Sequence, residues 1–503
     1  MLARRHAILW LLCWAVFAVP AARADEFTEG LAAFNKGDYQ AAVTHFSAAA
    51  QANQTDAVPL AWLGLAQLKA GKAEDAVASL TKAVELDPKM PEAHHNLGSA
   101  YWELGKSKEA LEEYQQAIYL QPHYVPPHYN LGAAYLALGD IERATGEFAV
   151  AVELDPKNAQ AHNNLGVCYE RAGKLAEAVS SYQQAVALDP GNEAFRLNLA
   201  LALRAMGKRD EAADQLSRLT AAGSKDPAVY VNLGAIRFER KEWKLASQSF
   251  EQAIKLEPSN AAAHYDLGLC LRQMGARSGA KEAFRRAVAS DPRLVDAQLN
   301  LGAMELDDGN ARAAVDHFSA ALEADPTSYV AAFNLGLAYA RVANTDDALR
   351  VWANLAERQP RDAAVREALA STYFRLHRYD EAKREYLALL QLQPQAPTAG
   401  PSGAPPLASP GADRQARLAA YNNLGIIYEE FGQLDEAADA YRNALAIDPN
   451  YARAHNNLGV LYERQGKLAE ARAEYQAAIA ADPSLADARR NLERLPPLAQ
   501  GAP

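Results

Sequence analysis

Asparagines recur along the chain at a pitch of 34 residues: Asn96, Asn130, Asn164, Asn198 and Asn232, then Asn300 and Asn334. Asp266 fills the gap in this row, Ala368 interrupts it, and Asn423 and Asn457 resume it. A carboxamide both donates and accepts hydrogen bonds, so such a row suits the backbone of an extended peptide and ignores its side chains. Each bond adds about 0.5–1.5 kcal/mol net, so several must act together against the cost of ordering the peptide. The competing reading is structural, each amide satisfying backbone beside it. One residue ahead of the row, Tyr129, Val231, Tyr265, Leu299 and Phe333 form an apolar strip. That strip either adds to a peptide site or packs on neighbouring helices.

Other reactive groups follow the same pitch. His94, His128, His162, His264 and His455 occupy equivalent positions. Metal ligands must converge on one point, whereas these are spread along the chain, so packing is the expected role. Cys168 and Cys270 lie three periods apart, beyond the roughly 7 Å Cα limit of a disulfide if helices are spaced by about 8–10 Å. Small buried residues are expected there. No GxSxG, Walker loop, GxGxxG, HExxH or CxxC occurs, and no 100-residue stretch lies outside the repeats. A non-enzymatic chain without cofactor or metal is the expectation.

The elements that must position these groups are helices. Leu97-Gly98, Leu131-Gly132, Leu165-Gly166, Leu233-Gly234, Leu267-Gly268, Leu301-Gly302 and Leu335-Gly336 mark a first helix, A, with an aromatic three residues later, as at Tyr101, Tyr135 and Tyr169. A turn follows, often with Gly, as at Gly139 and Gly173, which suits the left-handed conformation ending a helix. A second helix, B, carries Ala in all 13 copies, from Ala42 to Ala471, with a large apolar residue four positions on. Spacing of four places both on one face. Pro closes most copies, as at Pro88, Pro122 and Pro190, in many of them with Asp before it in a turn. A fixed period of this length denotes a stacked array, one body with a continuous core.

This pattern resembles the tetratricopeptide repeat, over about residues 25–394 and 413–495. The resemblance implies an all-α fold, a right-handed α-solenoid superhelix of about 13 helix-turn-helix repeats, with the A helices lining a concave groove that the asparagines face. The row is similar to the asparagine ladder in the repeats of the O-linked N-acetylglucosamine transferase, whose catalytic domain has no counterpart here. Chaperone-binding members need Lys one residue before this Asn, where His95, Tyr129, Asn163, Leu197, Val231 and Tyr265 stand instead. Capture of an acidic chaperone tail is therefore not expected.

Residues 1–24 have the layout of a secretory signal peptide: Arg4-Arg5, an apolar run from Ala7 to Val19, and Ala22-Arg23-Ala24 as cleavage site. An uncleaved anchor is the alternative, although 13 apolar residues fall short of the roughly 20 that span a bilayer. Cleavage after Ala24 takes the net charge from −11 to −14, which argues against nucleic acid and anionic lipid as partners. Eleven repeats are expected over 25–394, a Pro/Gly/Ala-rich loop or hinge at 395–413, two repeats over 414–483, a capping helix at 484–495 and a tail at 496–503. The first copy carries Glu26 and Glu29 where later ones are bulky, a polar outer face for a terminal repeat. The expected function is a periplasmic scaffold binding a peptide or protein in its groove. The alternatives are a subunit of an envelope secretion or assembly complex and a substrate-recognition accessory of a glycosyltransferase.

Overall fold

In the computed structural model, residues 21–392 and 410–496 are described. They form 27 α-helices with no strand among them, in the order of 13 A/B pairs and a last single helix. The A helices include α5 (Pro91–Glu103), α7 (Val125–Ala137), α9 (Ala159–Arg171), α11 (Glu193–Ala205), α19 (Tyr329–Arg341), α21 (Ala363–Arg375), α23 (Pro410–Glu430) and α25 (Ala452–Arg464). Among the B helices are α10 (Leu175–Leu188), α12 (Arg209–Ala221) and α22 (Tyr379–Gln391); α27 (Ala486–Arg494) closes the series. The chain divides into two compact units, up to Ile236 and from Arg237 onward.

Each pair closes around one contact. The 13 helix-B alanines are all fully buried, and the large residue four positions later is at most 2% exposed in every copy. That residue lies on the glycine of helix A. A Cβ on Gly166 would stand 2.7 Å from the Tyr182 ring, and one on Gly425 would stand 2.6 Å or less from Tyr441. The large residue thus leaves little room for a side chain opposite it, and only the small Ala200 and Ala370 replace glycine there, facing Leu216 and Tyr386.

The helix ends follow local chemistry. Gly139 and Gly309 both turn at φ 82°, a conformation that costs an L-residue roughly 1–2 kcal/mol. Lys241, Ala343 and His377 hold the same turn at φ 63°, 60° and 57°. At the other end, Asp87, Asp155, Asp291, Asp325, Asp448 and Asp482 each accept a bond from the backbone N–H two residues on, which shapes the Asp-Pro turn.

The expected signal peptide lies outside the described residues except for Ala21 to Ala24, which begin α1 (Ala21–Asn35). The 395–413 segment likewise lies outside them up to residue 409, and its last four residues start α23. Ala416, Ala420 and Leu424 of α23 share a core with Tyr386 and Leu389 of α22, so stacking resumes beyond the segment. The tail from residue 497 also lies outside the described residues. No helix among the described residues is long and apolar enough to cross a membrane.

Replacing Ala343 or His377 by Gly should relieve the turn and stabilise the array by about 1 kcal/mol each. Urea denaturation followed by circular dichroism measures this, and unchanged or lower midpoints would contradict it.

Candidate functional site

The asparagine row is a set of hydrogen bonds between successive A helices. Asn130 donates to His95 Nε2 at 2.8 Å, Asn164 to the Tyr129 hydroxyl at 3.1 Å, and Asn198 to Asn163 Oδ1 at 2.9 Å. Asn163 in turn donates to Asn164 Oδ1 beside it. The same relay runs from Asn491 to Asn456, Asn457, Asn422, Asn423 and finally the Tyr386 hydroxyl. Most of these stitches follow one pattern, an Asn bonding to the copy before it where the residue ahead of that copy's own Asn is an acceptor; Asn423, with Glu367 in that place, bonds Tyr386 instead. Where that residue is Ala61, Leu197 or Leu299, Asn96, Asn232 and Asn334 have nothing to reach. Asn232 turns to the Ala228 carbonyl and accepts from Arg204. Asn300 turns to the Asp296 carbonyl and accepts from Arg272.

The apolar strip is largely spent on packing. Tyr129 meets Phe148 edge-on at 5.6 Å and Tyr265 meets Phe284 at 5.7 Å. Phe333 stacks on Tyr329 at 5.8 Å and 8°, and also touches Trp352. These rings remain only partly exposed. His95 is held neutral, its pKa brought down to about 4 by burial and secondarily by Lys69. Since Nε2 accepts from Asn130, its proton sits on Nδ1, which is buried without a partner.

The histidine row serves a purpose that periodicity alone did not reveal. A helix leaves its last carbonyls unsatisfied, and the proline closing each copy exposes one. His94, His128 and His455 donate Nε2–H to the carbonyls of Pro88, Pro122 and Pro449 at 3.1, 3.0 and 2.9 Å. Their Nδ1 atoms lie 2.6, 2.7 and 2.6 Å from Glu113, Glu147 and Glu474. His162 and His264 bond Pro156 and Pro258 likewise. Arg196, Gln298, Arg366 and Arg489 replace histidine at this position and bond Pro190, Pro292, Pro360 and Pro483. The signal was legible: the position carries a side-chain donor of varied type. Where Ala332 cannot donate, Arg358 bonds Pro326 from helix B.

Three other features bear on chemistry. Glu26, Glu29 and His45 bring polar atoms within 4.8 Å of one another, but Glu26 and His45 form the same pin with roles exchanged, in a copy with no preceding described carbonyl. A depression of about 510 Å³ lies between α10, α11 and α12, where Arg196, Asp214, Gln215 and Arg218 already bond to one another or to backbone. Cys168 and Cys270 are buried free thiols, and burial pushes the latter up to about 12.

A carboxylate only accepts, so the Nδ1 atoms of His94, His128 and His455 must carry protons along with Nε2. Burial opposes that charge at His94 and His128, but bonds to the glutamate and the proline carbonyl outweigh it; at His455 the Glu474 bond dominates. All three pKa values are raised, so this stabilisation is complete below about 6.5 and lost as pH rises through the folded values. The H94Q/H128Q/H455Q variant should lag the wild type in urea midpoint more at pH 6 than at pH 8.5. A gap independent of pH would refute the charged pins.

Models of the tetratricopeptide repeat match residues 27–68, 68–105, 271–329, 333–397, 427–466 and 452–485, over half of the chain together. A model of the cilia and flagella-associated protein 70 C-terminal domain matches 89–291. No curated protein matches the chain. Among solved structures, a thermophilic tetratricopeptide protein of Thermus thermophilus is 27% identical, covering 36% of this chain and 98% of its own, with a TM-score of 0.31. A tetratricopeptide repeat protein from Parabacteroides merdae is 22% identical over 50% of this chain and 100% of its own, with a TM-score of 0.36. MamA is 28% identical over 32% and 94%, with a TM-score of 0.30.

Proposed function

We propose, on the premise that the chain belongs to the tetratricopeptide-repeat family, that it is a non-enzymatic interaction scaffold holding an extended segment of a partner protein along its A helices. The observation that carries this reading is the stitched asparagine row. A carboxamide has two N–H donors and two acceptor lone pairs, and a relayed stitch such as that of Asn164 leaves one N–H without a partner among the described residues. Stitching fixes the orientation of that remaining donor before any partner arrives, which lowers the ordering cost of binding. The pattern of residues 1–24 supports export, and in a bacterium the periplasm as the place of action.

The test replaces Asn130, Asn164, Asn198 and Asn232 by Ala and screens both proteins against arrays of extended 12-residue peptides. Tyr129→Phe serves as control, because it removes one stitch acceptor and keeps every amide. The quadruple variant should keep its helicity, lose about 1 kcal/mol for each lost stitch, and lose peptide capture. Tyr129→Phe should lose stability alone. Full capture by the quadruple variant, measured below its thermal transition, would remove the row from the binding site.

A further inference from the structure

The relay in the second unit orders the row: Asn423, Asn422, Asn457, Asn456, Asn491. Continued one way by the same alternation, it reads Asn334, Phe333, Ala368, Glu367 and then Asn423. Glu367 thus occupies the acceptor position filled by His95, Tyr129, Asn163, Asn422 and Asn456 in stitched copies. It is a stronger acceptor than any of them, yet the Asn423 amide passes it and donates to the Tyr386 hydroxyl at 2.8 Å. Among the described residues Glu367 has neither hydrogen bond nor ion pair. It is partly buried, and burial pushes its carboxyl above the usual range with no opposing cause. The adjacent cation is committed elsewhere, since Arg366 bonds Glu385 at 2.5 Å and the Pro360 carbonyl. Asn334 also lacks a partner among the described residues. In that register Ala368 and Phe333 come between these two groups, and Phe333 is itself stacked on Tyr329.

We infer that the interval from Asn334 to Glu367 is the specificity site of the row and takes a lysine or arginine side chain of the bound segment. This rests on the reading that an extended segment lies along the A helices. The cationic head meets the Glu367 carboxylate, the ion pair its own chain withholds. The aliphatic stem crosses Ala368 and Phe333, where apolar contact is on offer. Asn334 has its full carboxamide free for the backbone. Among the described residues the stitched intervals have their acceptors filled by the chain itself, whereas Glu367 is left without a hydrogen bond or ion pair.

The experiment uses the chain from residue 25 to 503 and labelled 12-residue peptides of Ala, Ser and Gly with Lys, norleucine or Glu at the centre. Fluorescence anisotropy at low salt should show the Lys peptides binding at least about tenfold tighter than the norleucine ones, with the difference shrinking at high salt. E367Q should abolish that preference without loss of thermal stability, and E367K should shift it to the Glu peptides. Binding without discrimination by charge, unaltered by E367K, overturns this inference and leaves the extended-segment reading standing. No binding by any of these peptides or by the arrays overturns both.

Discussion

Everything in this chain depends on how closely helix A approaches helix B within a copy. A buried alanine on B and a glycine on A let the two backbones nearly touch, and a large side chain four residues beyond the alanine fills the wedge between them. A methyl group on Gly98, Gly166 or Gly302 would crowd the ring of Tyr114, Tyr182 or Phe318, and one on Gly64 would crowd Leu80. The apolar core is thus specified pair by pair and by residues close in sequence, which is why a long chain needs no long-range pairing to find its fold.

Stacking one pair on the next poses a different problem, because each B helix ends in carbonyls that no turn of helix follows. The solution is polar. A donor on the next A helix reaches back to the proline carbonyl, and an asparagine on that helix reaches back to the acceptor of the previous one. Both bonds join adjacent copies, the asparagine stitches partly buried and the proline bonds partly buried or exposed, and both are side-chain contacts that vary in residue type. A terminal copy without a described predecessor shows the dependence by contrast: Glu26 stands where a donor is otherwise placed, and His45 answers it from helix B.

The architecture was open to sequence reading because it follows from local period. The helix pairs, the aligned alanines, the glycine turns and the Asp-Pro ends all arise from residues within one copy, and the described helices fall where the spacing puts them. Three turns held by Lys241, Ala343 and His377 instead of glycine escaped it, since tertiary packing overrides a local preference of about 1–2 kcal/mol. The histidines were placed correctly at one recurring position, but their partners lie six residues back across a turn and 19 residues on along the next helix. Periodicity aligns equivalent residues without saying which neighbours they meet.

The sequence by itself determined that the chain is a stacked array of helix pairs and which residues form the seam inside each pair, because those contacts repeat at fixed short separations. It also determined that a row of carboxamides recurs at one position of successive copies. Only the tertiary structure decided what that row is bonded to, since each stitched amide's partner sits about 35 residues away and depends on the identity of one residue in another copy. That same distance hid the difference between Asn164, engaged on both sides, and Asn334 and Glu367, which no other described part of the chain satisfies.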